Sequence, residues 1–324
     1  MNNLVALFSF ILILSCSTLE TIHPKLVCEA GLIYENTTNT CQSECAKTSD
    51  CKQGLICNQN QNICFDPLVL KAKIRKKNEI HIKQVMNALT LIKIPGGSFM
   101  MGSNDSDITK PRHRVQVETF YLSKTEITVE QYLICVKAGV CSVPNVENGC
   151  HWGYESRKHY PINCVDWDQA RKFTQWLGGD LPTEAQWEYA ARSAGKDFKY
   201  AWGNDESSQK YIKLKHHWST RSNVVCSEPK ANTEQGLCDM SGNVYEWTRD
   251  GWQSHYHNAP TNASDICNTA ICKQSIYRVS RGGGWYHGSK RNLRTTERVA
   301  DARLGRYRDL GFRVLIFDRK KTND

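Results

Sequence analysis

Apolar and polar positions divide the chain into stretches of different character. Leu4 to Leu14 is an apolar run broken only by Ser9. As a helix it would span about 16 Å, half of a bilayer core, so it predicts the apolar segment of a secretory signal rather than a membrane span. The stretch that follows, to residue 66, is polar and rich in Asn, Thr and Gln. It cannot build a hydrophobic core of its own. From Leu91 the pattern changes. Ile94 to Gly102 alternates apolar with turn residues, as a strand bounded by turns would, and His113 to Val117 and Phe120 to Leu122 predict short strands. Thr128-x-x-Gln131 is a capping box, and Tyr132, Cys135 and Val136 give the helix it opens an apolar face. Asp166 caps a second helix carrying Ala170, Phe173 and Leu177, which Gly178-Gly179 stops. Thr183-x-x-Gln186 caps a third, with Trp187, Ala190 and Ala191. After Ser193 the chain is rich in Gly, Asn, Ser and aromatics, with little periodicity. The pattern predicts an α+β, loop-rich domain with few helices and short strands.

Cysteine changes the picture next. The 324 residues include 15 Cys, too many for a reducing cytosol, and no C-x-x-C pair that would suggest zinc. Ile13-Leu14-Ser15-Cys16 resembles the bacterial lipobox, in which the Cys is lipidated and becomes the new N-terminus. Met1-Asn2-Asn3 departs from that pattern by lacking Lys or Arg. Lipidation of Cys16 would leave 14 cysteines, an even number, and would hold the protein on a membrane surface. Ser17 rather than Asp at the next position resembles an outer-membrane sorting signal, so the expected place is the bacterial cell envelope.

Cys28, Cys41, Cys45, Cys51, Cys57 and Cys64 follow as C-x12-C-x3-C-x5-C-x5-C-x6-C, a spacing that resembles small extracellular modules of the EGF or dickkopf type. Three disulfides are expected there, in a connectivity that spacing does not choose. Lys71, Lys73, Arg75, Lys76, Lys77 and Lys83 against the single Glu79 predict a solvated linker or surface helix. A basic patch drawn to anionic headgroups is the alternative. The resulting organisation is a signal peptide at 1–15, a lipid anchor and cysteine-rich module at 16–66, a basic linker at 67–90, a main domain at 91–317 and a tail at 318–324. The net charge of +9 is spread along the chain and is no footprint of nucleic-acid binding.

Eight ordered blocks in the main domain carry a family resemblance. They are IPGGSFMMGS at 94–103, KTEITVEQY at 124–132, YPINCVDWDQA at 160–170, LPTEAQWEYAAR at 181–192, AWGND at 201–205, CDMSGNVYEWTRD at 238–250, RVSRGGGW at 278–285 and DLGFRV at 309–314. Together they resemble the formylglycine-generating enzyme, or sulfatase-modifying factor, family. The resemblance implies a mixed, loop-rich fold related to C-type lectins. It leaves function open, because the family holds oxidases, iron enzymes, pyoverdine-maturation proteins and binding modules.

The family's oxidases turn a substrate Cys into formylglycine with copper(I) and dioxygen. Their two copper-holding cysteines, with four residues between them, follow an R-G-G-S motif, and the chemistry needs them because soft thiolates suit copper(I). Counted without gaps, those positions here are His287 and Asn292, the motif's serine is Gly284, and no Cys follows Cys272. The chain is therefore expected to lack the oxidase chemistry and not to hold copper. Cys267 and Cys272 share the four-residue spacing but precede the motif, where a local disulfide is the plainer reading. Proximity suggests further bridges between Cys135 and Cys141, Cys150 and Cys164, and Cys226 and Cys238. His255-Tyr256-His257 would put two imidazoles on one side of a strand, with no third ligand to name, and the adjacent His216-His217 would point apart. No G-x-S-x-G or P-loop occurs.

Two features remain. The turn from Cys238 to Trp247 resembles the family's calcium-binding G-N-x-x-E-W turn. The resemblance implies side-chain oxygens from Asp239 and Glu246 and carbonyls from Gly242 and Val244, hard donors that suit calcium. The late loops hold Trp252, Tyr256, Trp285, Tyr286, His287 and Arg291, with Arg294 and Arg298 nearby, the residue types that anchor binding surfaces. Trp285 and Arg294 could instead be scaffold residues. The expectation is an envelope lipoprotein, anchored to a membrane, whose domain binds a protein or small-molecule ligand. An oxidoreductase of the same family is the alternative, and a structural role in an envelope assembly a third.

Overall fold

The computed structural model describes residues 25–27, 33–35, 56–58, 63–206, 222–264, 275–286 and 289–317. The signal segment, Cys16, His216, His217, Cys267, Cys272 and His287 lie outside the described residues, as do the side chains of the cysteine-rich module. The chain divides into two compact units, residues 1–80 and 81–324.

The first unit holds two short antiparallel pairs. Strand β1 (Lys25–Val27) pairs with β2 (Ile33–Glu35), and β3 (Ile56–Asn58) pairs with β4 (Ile63–Phe65) in a register that sets Cys57 opposite Cys64. Helix α1 (Pro67–Ala88) follows. The Asp66 carboxylate accepts from the Leu68 N–H at 2.8 Å, and Pro67 stands at the first helical position, a strong helix start. The basic run is thus helical and largely exposed, with Arg75 and Glu79 paired one turn apart at 3.1 Å. Among the described residues no helix is long and apolar enough to cross a membrane.

The second unit is built on three small sheets. β5 (Leu91–Ile94) and β13 (Leu315–Phe317) flank β8 (Phe120–Ser123), while β6 (Gly97–Met101) and β7 (His113–Val117) form a ribbon. The four-stranded sheet runs β11 (Arg298–Ala302), β10 (Tyr277–Arg281), β9 (Tyr245–Gly251), β12 (Leu310–Gly311), with β12 parallel to β9. The single strand expected over 94–102 is two, because Pro95-Gly96 turns the chain between β5 and β6. All of β9 except Arg249 is buried, since α3 (Trp167–Trp176) and α4 (Glu184–Ala191) both pack against it.

Helices α2 (Val129–Lys137), α3 and α4 all open on the capping residues the sequence marks. Thr128, Asp166 and Thr183 each complete a reciprocal capping box with a Gln three residues on. Gly178, with φ of +82°, ends α3 in the left-handed conformation. Asp166 also takes the Arg306 guanidinium at 2.9 Å. Asp166→Ala should therefore cost about 1–2 kcal/mol, chiefly through the lost cap, as read by urea unfolding.

Two apolar clusters form the core. One gathers Tyr132, Phe173, Trp247 and Phe312 with Val85 of α1; the other gathers Phe99, Phe120, Trp187 and Tyr189. The bridges Cys135–Cys141, Cys150–Cys164 and Cys226–Cys238 are all formed.

Candidate functional site

The turn before β9 brings together several buried charges. The Cys226–Cys238 bridge holds its first residue, and Asp239 and Asn243 both adopt φ of 60°. The Asp239 carboxylate accepts from the Cys226 N–H at 2.6 Å. Asn243 donates its amide to Glu126 at 3.0 Å and accepts from the Asn223 N–H at 2.9 Å. Glu246 is fully buried and committed. Arg313 donates to its two oxygens at 2.6 and 2.5 Å, and Trp187 donates to Oε2 at 2.8 Å.

This geometry tests the calcium ligands that the sequence implies. Three of the four lone-pair directions of Glu246 are already used, which leaves one on Oε1. Asp239 retains free acceptor capacity. Glu126, which the sequence reading did not single out, adds a third carboxylate, and its Oε2 is buried with no donor. Burial, with Asp239 and Glu246 nearby, pushes the Glu126 carboxyl well above its ordinary pKa; burial also raises Asp239. The turn gathers carboxyl oxygens from three side chains beside one guanidinium, so the donors suit a hard cation in kind. They do not converge as three side chains on one point: among the described residues no group of three His, Cys, Asp or Glu is placed to hold a metal. An ion at this turn would depend on backbone carbonyls such as those of Gly242 and Val244.

The second place of interest surrounds the motif at Arg281–Trp285. Gly284 stands where the family's oxidases carry serine. A Cβ there would lie 2.9 Å from the Asp309 carbonyl oxygen and 2.9 Å from Cδ2 of Tyr245. The backbone therefore has no room for that serine. Gly284→Ser should destabilise the fold by about 1–3 kcal/mol through overpacking, measurable as a lower melting temperature. Asn292, which counting without gaps from the motif sets at one of the two copper-holding cysteine positions, lines a cleft of about 500 Å³ with Tyr245, Tyr286, Tyr307, Arg308 and Asp309. Asn292 and Tyr245 thus share one lining. Burial, reinforced by Asp309, Asp301 and Glu297, raises the Tyr245 pKa and keeps the phenol protonated. Among its described lining residues the cleft offers the Asn292 amide and the Tyr245 phenol.

The aromatic and arginine residues expected to form one ligand surface divide into different settings. Tyr286 does line the cleft, with the Arg308 guanidinium over its ring at 4.0 Å. Trp285 is buried and donates its indole N–H to the Arg308 carbonyl at 3.2 Å, so it acts as scaffold. Tyr256 is 1% exposed and donates its hydroxyl to Glu184 at 2.9 Å. Tyr256 was expected on the surface and its inward-facing phenol removes it from there, while Trp285 takes the scaffold place given as its alternative. Trp252 is half-buried beneath Arg298, whose guanidinium lies 4.5 Å from the indole ring. Arg291 is exposed and paired with Glu297 at 3.2 Å. Arg294 pairs with Asp105 at 2.8 Å.

Arg298 belongs to a buried network the sequence reading missed. Its Nε and Nη2 bond the two oxygens of Glu184 at 2.7 Å each. Arg281 approaches Glu184 at 3.4 Å and pairs with Glu188, which also takes Arg192 at 3.1 Å. One local signal of buried charge exists: Arg313 stands between Phe312 and Val314.

Over residues 76–317 the chain matches the family described as the sulfatase-modifying factor enzyme 1-like domain, and it belongs to that family. It is 27% identical over 287 aligned residues to a formylglycine-generating enzyme of Streptomyces coelicolor, covering 68% of this chain and 87% of that one. It is 26% identical over 286 residues to the serine/threonine-protein kinase Pkn1 of Chlamydia trachomatis, covering 83% of this chain. The chain spans only 44% of that kinase's length. Among solved structures, PvdO from Pseudomonas aeruginosa superposes with a TM-score of 0.59 at 28% identity, covering 70% of this chain and 94% of PvdO.

Proposed function

We propose that this chain is an envelope lipoprotein whose formylglycine-generating-enzyme-like domain binds a ligand or protein partner without making formylglycine. The observation that carries the reading is Gly284, which has no room for the serine of the oxidases' motif, with Asn292 in the cleft beside Tyr245 where counting from that motif expects a thiolate. The cleft itself is suited to binding. Tyr286 and Tyr307 offer aromatic faces, and Arg308 and Asp309 offer charge of both signs. The lipobox at Cys16 and the disulfide load support the envelope placement. Cys16→Ala should abolish metabolic labelling with palmitate in a bacterial host.

Calcium enters the same reading as a structural ion at the turn. Asp239, the remaining lone pair of Glu246 and the carbonyls of Gly242 and Val244 would hold it. Calcium at about 100 times its dissociation constant should then stabilise the fold by about 2.7 kcal/mol. A thermal melt with and without chelator reads the effect, and Asp239→Ala should remove it.

The deciding experiment supplies the full chain with copper(I), reductant, dioxygen and a C-x-P-x-R peptide, beside an active relative. Mass spectrometry should find no conversion of the peptide Cys. Copper-dependent conversion that is lost in Cys267→Ser or Cys272→Ser would overturn the binding reading and favour the oxidoreductase.

A further inference from the structure

His255 and His257 flank Tyr256 in the loop after β9. Tyr256 turns inward and is held at several points. Its N–H donates to the Lys110 carbonyl at 2.7 Å, its hydroxyl donates to Glu184, and the Arg298 guanidinium lies 4.4 Å from its ring centre. Arg298 also donates to the Gln253 carbonyl at 2.8 Å, which pins the loop just upstream. With the central residue fixed inward, the two neighbours point outward together. Both histidines are exposed, and their rings meet edge to face with centroids 4.4 Å apart. The expected juxtaposition is therefore present, although the segment is a loop rather than a strand.

We propose that His255 and His257 form a solvent-facing chelate for a divalent first-row transition cation, copper(II) or zinc, with water filling the remaining positions. Neutral imidazole nitrogens are borderline donors that suit these ions, and copper(II) should bind more tightly than zinc by the Irving–Williams order. The loop is ordered before the ion arrives, because Tyr256 is anchored to buried charges, so little ordering entropy is lost on binding. Binding displaces water, and protons where a ring is protonated, and requires no redox step. This site is separate from the cleft at Asn292 and does not depend on the function proposed for it.

The test uses the full chain without an affinity tag, titrated with copper(II) and followed by calorimetry and electron paramagnetic resonance. The expected result is saturable binding with nitrogen hyperfine structure from imidazole. His255→Ala and His257→Ala should each weaken binding by about tenfold or more, since each opens the chelate, and the double variant should lose the site. His159→Ala serves as control; it alters another exposed histidine, which lies 3.6 Å from Glu130, and should leave binding unchanged. All variants should keep the parent melting temperature, because the altered side chains are exposed. Absence of saturable binding, or binding undiminished in the double variant, would overturn the proposal.

Discussion

Arg313→Ala should lower the stability of the domain by about 3–5 kcal/mol, the range for breaking a buried ion pair from one side. Arg313 is fully buried and uses its guanidinium completely. Besides Glu246, it donates to the carbonyls of Ser123 at 3.0 Å, Lys124 at 3.3 Å and Cys238 at 3.0 Å. One side chain thus fastens the end of β8, the bridge at Cys238 and the first turn of β9. Removing it strands the charge of Glu246 and takes a donor from three carbonyls, of which that of Lys124 keeps the Cys238 N–H at 2.8 Å. Lysine cannot replace it, because an ammonium lacks the planar fork that reaches both carboxylate oxygens and the carbonyls together. Glu246→Leu in the same chain should recover part of the loss, since the uncompensated buried charge is then gone. Urea unfolding of the two single variants and the double variant measures the coupling.

Glu184→Ala should cost a similar amount, about 3–5 kcal/mol, by a different route. Glu184 lies on a helix whose every turn is buried, and it anchors Arg298, Arg281 and Tyr256 at once. Arg281 would keep Glu188. Arg298 would be left with the carbonyls of Ile108 and Gln253 and no anion among the contacts described. Glu184→Gln keeps the shape and one acceptor, so it should lose less than alanine. In a double-mutant cycle with Arg298→Met, the two changes should be clearly non-additive. If they simply add, the bidentate contact contributes nothing and the network is packing alone.

These networks mark the limit of what the sequence displays. Thr128, Asp166 and Thr183 were legible because a capping box is a local event, complete within four residues. The three disulfides were legible for the same reason, and His113–Val117 because a strand's alternation is local too. Glu184 and Glu188 were not, since a helix buried on all sides shows no polar face to contrast with an apolar one. The partner of Glu184 stands 114 residues away, beyond any periodicity. Tyr256 was misplaced, and Trp285 was left between surface and scaffold, because aromatics in a Gly-rich stretch carry no signal of which way they face. In the candidate site, Gly284 and Asn292 could be located by counting from the motif. That Asp309 and Tyr245 crowd the place of the missing serine required the fold.

The disulfide pattern also bears on how the chain acquires its structure. Each described bridge joins a cysteine to the next one in sequence, at separations of 6, 14 and 12 residues. Short loops close at low entropic cost, and closure is fast compared with thiol oxidation. A chain entering an oxidising compartment from its N-terminus would present Cys135 and Cys141 before Cys150, and Cys150 and Cys164 well before Cys226. Oxidation in order of arrival would then give the native pairs in this part of the domain. Its refolding from the reduced state should accordingly depend little on disulfide isomerisation, and more on the supply of oxidant.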